Sequence, residues 1–178
     1  YKDEETNIEV HKYGSHLFHT SDEDVWQYLN QFCEFNDYQH KVFTQYEGET
    51  YTMPINLSTI NQFYKKNFSP SEAKDFIEKE IERSKIENPG NLKEKGVSLI
   101  GEPLFNAFIA GYTAKQWDTP LEDLPANIIT RLPVRYNYNN RYFNDKYEGL
   151  PRDGYGALFE KILDHSLIEV VLETDFFE

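Results

Sequence analysis

Three of the five histidines in this 178-residue chain fall within nine residues, in the stretch HKYGSHLFHT. Histidine can ligate a metal, act as a general base, or present a polar aromatic ring to a bound group. His11, His16 and His19 could in principle bind zinc, but zinc sites normally add cysteine or further histidine at fixed spacing, or an HExxH helix. The chain contains neither pattern, so we predict no metal site.

The arginines are concentrated in one part of the chain. Four of the five lie between residues 131 and 152, interleaved with tyrosine and phenylalanine. A guanidinium is a planar fork that suits phosphate, so a phosphorylated or sugar-bearing ligand is one interpretation. The other is a surface sheet whose arginines stack on rings and pair with acids, because such pairs are common and weak. The arginines are Arg131, Arg135, Arg141 and Arg152.

A third candidate is the segment GYTAKQW at residues 111–117. Its two large rings, Tyr112 and Trp117, stand beside polar residues, and a nucleobase could stack on them. Ordinary packing at a helix end explains the same residues equally well. Neither a GxSxG serine nor a GxxxxGK[ST] phosphate loop occurs in the chain, so a lipase-type hydrolase and a P-loop enzyme have no support.

Composition narrows the class of protein. The net charge of −13 argues against nucleic acid as a partner, because a duplex binder needs a basic face. No apolar run reaches membrane length, so no membrane partner is predicted. The single cysteine, Cys33, excludes an internal disulfide and fits a reducing, cytoplasmic location.

Local patterns predict an α+β fold in the first half of the chain. Helical spacing of apolar residues favours a helix over residues 21–35, and residues 41–55 predict a hairpin around Glu47-Gly48. Ser58 is the predicted cap of the next helix. Ser69, Pro70 and Glu72 form a typical helix start.

The second half continues the helical block and then changes period. Residues 57–132 predict about five short helices, two of them separated near Gly101 and the last in LPANIITRLP. Residues 133–148 alternate aromatic and polar side chains, which predicts strands. A helix ending near Leu163 and a strand over residues 167–172 follow.

These segments, in this order, resemble the UDP-galactopyranose mutase family over nearly the whole chain. The resemblance implies a flavin-dependent isomerase that interconverts UDP-galactopyranose and UDP-galactofuranose without net redox change. Its implied mechanism passes through an adduct between N5 of reduced FAD and the sugar. The matching segments are HKYGSHLFHT, MPINLSTINQF, GYTAKQW, LPANIITRLPVRYNYNNRYFNDKYEGLP and GYGALFEKIL.

The resemblance also assigns roles to individual residues. It implies catalytic roles for Arg131, on the UDP phosphates, and for His16, beside the flavin ring. The implied flavin contacts are Gly14, Ser15, His16 and His19. The implied substrate contacts are His40, Phe108, Tyr112, Thr113, Trp117, Arg131, Tyr142 and Phe143. The histidine segment is thereby interpreted as ring packing and backbone hydrogen bonding at a flavin.

The same resemblance implies a division of the chain. Residues 57–132 are expected to form a helical substrate-side domain with a mobile loop at 118–130. Residues 41–56 and 133–150 would contribute a hairpin and strands to an antiparallel sheet. The end segments, 1–40 and 151–178, would be pieces of a Rossmann-like FAD domain.

The chain is expected to be a central fragment that lacks the glycine fingerprint for FAD and the C-terminal part of the family. We therefore expect it to be inactive by itself and not to retain FAD. The complete protein is expected to be a bacterial cytoplasmic enzyme of cell-wall polysaccharide synthesis, with a homodimer as one option. Two other functions stay open: a nucleotide-sugar-binding module without chemistry, and a related flavin amine oxidase.

Overall fold

The computed structural model of the chain describes residues 1–130, 132–175 and 177. Helices and two-stranded antiparallel sheets occur together, which confirms the α+β prediction. In chain order the elements are β1 (Phe18–Thr20), α1 (Glu23–Leu29), β2 (Val42–Tyr46), β3 (Glu49–Met53), α2 (Leu57–Tyr64), α3 (Pro70–Ser84), α4 (Leu92–Ile100), α5 (Glu102–Phe105), a π-helical turn (Asn106–Ala110), α6 (Gly111–Trp117), a 3-10 turn (Ala126–Ile128), β4 (Tyr147–Gly149) and α7 (Gly154–Leu163).

The chain divides into two compact units. The helical unit is Lys41–Tyr142, and the histidine unit combines Tyr1–His40 with Phe143–Glu178. Within the described residues, no helix is both long and apolar enough to cross a membrane.

Local signals place several elements of the helical unit as predicted. Strands β2 and β3 pair as an antiparallel hairpin, and both turn residues, Glu47 and Gly48, have positive φ angles of 49° and 81°. Ser69 caps α3, with proline at the start of the helix and Glu72 closing a capping box. Gly101 separates α4 from α5, with a φ of 79°.

Two helix starts differ from the prediction because a neighbouring side chain makes the better cap. Asn56, not Ser58, caps α2, and its side-chain oxygen accepts hydrogen bonds from the amides of Ser58 and Thr59. Asp22 caps α1 in the same way, so this helix begins at Glu23 rather than at residue 21. Helix α1 also ends at Leu29 rather than near residue 35, where the Asn30 side chain donates to the Trp26 carbonyl and competes with continued helix.

The core of the helical unit is packed around Phe105. This ring is fully buried, as are Ile60 of α2, Ile77 of α3 and Ile100 of α4. Gly96 of α4 gives the ring its space: a Cβ placed on Gly96 would lie 2.1 Å from one Phe105 ring carbon. The helices approach this closely only because residue 96 has no side chain.

The predicted strands over residues 133–148 are largely wrong: only Tyr147–Gly149 forms a strand. The asparagines in this segment bond the backbone locally. Asn137 accepts from the amide of Asn139 at 2.9 Å, and Asn139 accepts from the amide of Arg141 at 3.0 Å. Such side-chain turns compete with a strand ladder for the same amides.

Two further predicted elements differ. In the described part of LPANIITRLP, only the 3-10 turn Ala126–Ile128 is helical. Residues 167–172 form no strand and are exposed, with Leu167 88% exposed. A strand needs a neighbour for its backbone groups, and none pairs with this segment among the described residues.

Long-range pairing organises the histidine unit. Strands β1 and β4 pair antiparallel, with His19 opposite Glu148 and Thr20 opposite Tyr147. The indole of Trp26 stacks on Tyr147, with ring centroids 4.7 Å apart. The β-pair thereby joins the histidine segment to residues more than a hundred positions later.

The ion pair of Glu23 with Lys146 beside this sheet is expected to make the stability of the fold depend on pH. Hydrogen bonds from Lys146, Tyr147 and Gln27 lower the pKa of Glu23 to about 2. A lowered pKa in the folded state stabilises the fold above the ordinary carboxylate pKa, and this contribution is lost as the pH falls through the folded value. Wild type is therefore expected to be more stable than Glu23→Gln near neutral pH, with the difference vanishing toward about pH 2.

Melting temperatures of both proteins across this pH range check the prediction. Glu160→Gln, an exposed position on α7, controls for the loss of one negative charge. A stability difference between wild type and Glu23→Gln that stays constant from neutral to acid pH would contradict it.

Candidate functional site

Three of the four flavin contacts expected from the sequence lie in an exposed loop before β1, and the fourth, His19, lies in β1 itself. Gly14, Ser15 and His16 are all exposed, and Gly14 has a φ of 108°. A Cβ at Gly14 would meet no atom within 4 Å, so the backbone conformation rather than crowding calls for glycine here. The loop presents backbone and an imidazole ring to the outside.

Hydrogen bonds inside the loop fix two histidine tautomers. The Nδ1 atom of His16 lies 2.7 Å from the carbonyl oxygen of Gly14, which can only accept, so Nδ1 carries the proton. The Nδ1 atom of His11 accepts the backbone N–H of His16 at 3.0 Å, so its proton is on Nε2. The edge of the His11 ring packs on Tyr155, with centroids 5.4 Å apart.

These contacts bear on the metal hypothesis. Within the described ranges, no group of three or more His, Cys, Asp or Glu side chains is placed to hold a metal ion. His11 and His16 each use one ring nitrogen for a bond to the loop itself.

We accordingly expect the purified complete protein to contain no stoichiometric zinc. Elemental analysis after dialysis checks this. About one zinc per chain, lost in His16→Ala, would overturn it, because a zinc site depends on each of its protein ligands.

His19 and Phe143 come together in the histidine unit. Their rings stack with centroids 3.6 Å apart and planes 15° from parallel. The Nδ1 atom of His19 lies 2.6 Å from a carboxylate oxygen of Asp145. The ring centroid of His40 is 6.2 Å from that of Phe143, and its backbone N–H donates to Glu148. Three of the predicted site residues thus form one aromatic group.

In the helical unit, a π-helical turn sets the direction of Tyr112. Phe108 is buried, and the next buried residue is Thr113, five positions later. In a regular α-helix the position four residues on, Tyr112, would lie on that inner face. The wider π turn moves Thr113 inward and leaves Tyr112 70% exposed. Turns of this kind frequently occur at functional sites.

The other predicted substrate residues of the helical unit differ in their exposure. Phe108 is 7% exposed and packs against Tyr51 and Phe63, with centroids 5.0 and 5.4 Å away. Trp117, the last residue of α6, is 49% exposed. Phe108 therefore packs inside the core of the helical unit. Tyr112 and Trp117 instead expose their rings to solvent.

Two of the four clustered arginines, Arg135 and Arg152, make contacts within their own units. The Arg135 guanidinium donates to backbone carbonyls of Asn139, Arg141 and Tyr142, and so organises the loop that carries Tyr142. The Tyr142 side chain is 47% exposed. Arg152 lies 3.6 Å from Glu34 on the surface of the histidine unit. The predicted role of Arg131 lies outside the described residues.

The segment predicted to be a mobile loop, 118–130, has anchors in the helical unit. Leu121, Leu124 and Ile129 are buried in the core. The amide of Leu92 donates to the Leu124 carbonyl at 2.8 Å. Any closing motion of this segment has to break or carry these contacts, and the motion itself stays a prediction.

Asp145 and Glu148 are site neighbours that the sequence did not indicate. Asp145 contacts His19 across a separation of 126 residues, and Glu148 accepts from the His40 amide across 108. The pairing of β1 with β4 brings the segment of Asp145 to that of His19, and no local sequence pattern reveals that pairing.

Comparison with known proteins supports one family. The family model for UDP-galactopyranose mutase matches residues 107–178. A probable UDP-galactopyranose mutase of Klebsiella pneumoniae is 43% identical over 98% of this chain and 45% of its own length. The resemblance to the UDP-galactopyranose mutase family is confirmed.

Two other relatives widen the range of substrates in the comparison. A dTDP-fucopyranose mutase of Escherichia coli is 42% identical over 96% of this chain and 45% of its own length. A UDP-galactopyranose mutase of Mycoplasma pneumoniae is 28% identical over 96% of this chain and 44% of its own length. The chain thus spans less than half the length of each of these three relatives.

Proposed function

We propose that this chain is part of a flavin-dependent mutase that interconverts the pyranose and furanose forms of a nucleotide sugar. The observation that carries the proposal is 43% identity to a probable UDP-galactopyranose mutase across 98% of the chain. UDP-galactose is the first proposed substrate. Location in the cytoplasm, assembly as a homodimer and a role in cell-wall polysaccharide synthesis stay predictions for the complete protein.

The residues of the histidine unit suit the edge of a flat ring system. Gly14, Ser15 and His16 offer an exposed backbone and an imidazole, and the stacked pair of His19 and Phe143 adds aromatic surface. We propose that these residues hold the flavin ring of FAD. When bound, reduced flavin would supply at N5 the nucleophile that attacks the anomeric carbon of the sugar.

The residues of the helical unit are proposed to hold the nucleotide sugar. The exposed rings of Tyr112 and Trp117 suit stacking on a base or packing on a sugar. The hydroxyl of Tyr142, on the loop that Arg135 organises, suits a phosphate oxygen. Arg131 is proposed to bind the diphosphate. The chain's contribution is thus to orient the sugar and steady the leaving nucleotide.

The 178-residue chain is expected not to retain stoichiometric flavin by itself. No GxGxxG turn occurs in its sequence, and that turn normally supplies helix N-terminal amides to the pyrophosphate of FAD. Absorbance of the purified chain after desalting checks this. A yellow protein with about one flavin per chain would contradict the prediction, because the ring contacts would then suffice without a pyrophosphate cradle.

The identity of the sugar nucleotide requires a direct comparison. The probable UDP-galactopyranose mutase and the dTDP-fucopyranose mutase are 43% and 42% identical to this chain, so sequence identity does not decide between the two substrates. The complete protein with chemically reduced flavin should be given UDP-galactofuranose and dTDP-fucofuranose in parallel, and products separated by chromatography. We expect a higher kcat/KM for the UDP sugar than for the dTDP sugar. Conversion of the dTDP sugar alone would assign the second substrate.

Two alternatives are distinguished by the same preparation. A binding module without chemistry would bind UDP-galactose but leave both sugars unconverted. A flavin amine oxidase would contain flavin and oxidise amines while leaving the nucleotide sugars unchanged.

A further inference from the structure

A carboxylate and a hydroxyl support His19 from one side. Nδ1 of His19 lies 2.6 Å from Oδ2 of Asp145, and Ser21 donates its hydroxyl to Oδ1 of the same carboxylate at 2.7 Å. The backbone amide of Lys146 donates to the Ser21 hydroxyl oxygen at 3.2 Å. The oxygen of Ser21 therefore accepts from the backbone while its hydrogen points to Asp145.

The ring plane of His19 is held as well. Phe143 stacks on the imidazole at 3.6 Å between centroids, and the β1–β4 pair sets the backbone of His19 opposite Glu148. The His19 side chain still remains 38% exposed. The imidazole is thus supported on one edge and one face while part of the side chain remains open to a ligand.

An ionised carboxylate can only accept a hydrogen bond, so Nδ1 of His19 must carry a proton. In the neutral ring, Nε2 then has a lone pair and accepts hydrogen bonds. Among the described residues, none forms a hydrogen bond with Nε2. The group that it can recognise is a donor, such as a sugar hydroxyl or an N–H of a flavin ring.

We propose that Asp145 is a positioning residue that locks His19 as the Nδ1–H tautomer, so that Nε2 accepts a hydrogen bond from the bound flavin or sugar. The ligand part of this inference rests on the proposed mutase function. The tautomer part does not, because it concerns the resting protein.

The test is nitrogen NMR of the complete protein labelled with ¹⁵N-histidine, in which shifts distinguish protonated from unprotonated ring nitrogens. In wild type we expect the Nδ1–H form of His19 to exceed the Nε2–H form by at least about tenfold, because hydrogen bonds to charged groups are the strong ones. Asp145→Asn should increase the Nε2–H form, since an amide can donate to Nδ1. Ser21→Ala should leave the Nδ1–H form dominant.

Ligand additions then identify the donor. Flavin is added first and UDP-galactose second, and the addition that moves the Nε2 resonance names the group bound there. With reduced flavin, kcat/KM of Asp145→Asn should fall by on the order of tenfold or more, as expected for a wrongly presented imidazole. Asp164→Asn, an exposed acid in the same unit, is the matched control and should change neither readout.

A wild-type His19 protonated at Nε2, or the same tautomer in wild type and Asp145→Asn, would overturn the assignment. An Nε2 resonance unmoved by both ligands would overturn its ligand part. An inactive complete protein that nevertheless shows the expected tautomer would count against the mutase function and leave the role of Asp145 standing.

Discussion

Replacing Arg131 by alanine in the complete protein is expected to lower kcat/KM for the nucleotide sugar by about a hundredfold. The reason is the diphosphate that the proposed function assigns to this guanidinium. Each charge-assisted hydrogen bond contributes roughly 1.5–3 kcal/mol, and two at the lower figure give about 3 kcal/mol. Because charge builds on the departing oxygen, turnover should fall as well as affinity.

Conservative and control variants sharpen this prediction. Arg131→Lys should restore activity only in part, because an ammonium cannot reproduce the planar fork. Arg152→Ala is the matched control, since that arginine lies 3.6 Å from Glu34 in an exposed pair and should have little effect. Steady-state kinetics with reduced flavin and melting curves are measured together. An Arg131→Ala protein within about threefold of wild type in kcat/KM would contradict the proposed role of Arg131 at the diphosphate.

Phe105→Ala is expected to lower the free energy of unfolding by about 3–5 kcal/mol. The ring is fully buried at the centre of the helical unit, and its removal leaves a cavity as well as lost apolar contact. Thermal or denaturant unfolding measures the loss. Phe159→Ala, an exposed phenylalanine on α7, is the control and should change stability by no more than about 0.5 kcal/mol.

The close contact of Gly96 with Phe105 makes the test more specific. Gly96→Ala alone should destabilise by about 1–3 kcal/mol, because its Cβ would fall 2.1 Å from a ring carbon that cannot move away. In the Phe105→Ala background the same change should instead stabilise, by up to about 1 kcal/mol of helix propensity. Equal effects of Gly96→Ala in both backgrounds would contradict the packing described for α4 and α5.

Elements with strong local signals were predictable from the sequence. The hairpin of β2 and β3 turns at Glu47-Gly48, and α3 begins with Ser69, Pro70 and Glu72. Each of these sequence signals involves only a few neighbouring residues, so the element that it predicts depends little on tertiary contacts. The strands expected over residues 133–148 failed because Asn137 and Asn139 bond nearby amides, a competition that alternation of aromatic residues does not reveal.

The candidate site was less accessible to sequence reasoning. Its residues follow from the family resemblance, since spacing alone is equally explained by structural roles for the arginines and histidines. The contact of His19 with Asp145 joins residues 126 positions apart. The π turn before Tyr112 has a sequence whose apolar pattern does not differ from that of a regular helix. Both features depend on packing and pairing over distances that local patterns do not encode.

The central claim is that the residues of this chain serve a flavin-dependent ring interconversion. Its most direct test is to incubate the complete protein with UDP-galactofuranose, once with oxidised and once with chemically reduced flavin, and to follow UDP-galactopyranose by chromatography. We predict rapid conversion with reduced flavin and little with oxidised flavin, with no net consumption of reductant. Absence of conversion of either UDP-galactofuranose or dTDP-fucofuranose by a folded, flavin-containing, reduced protein would contradict it.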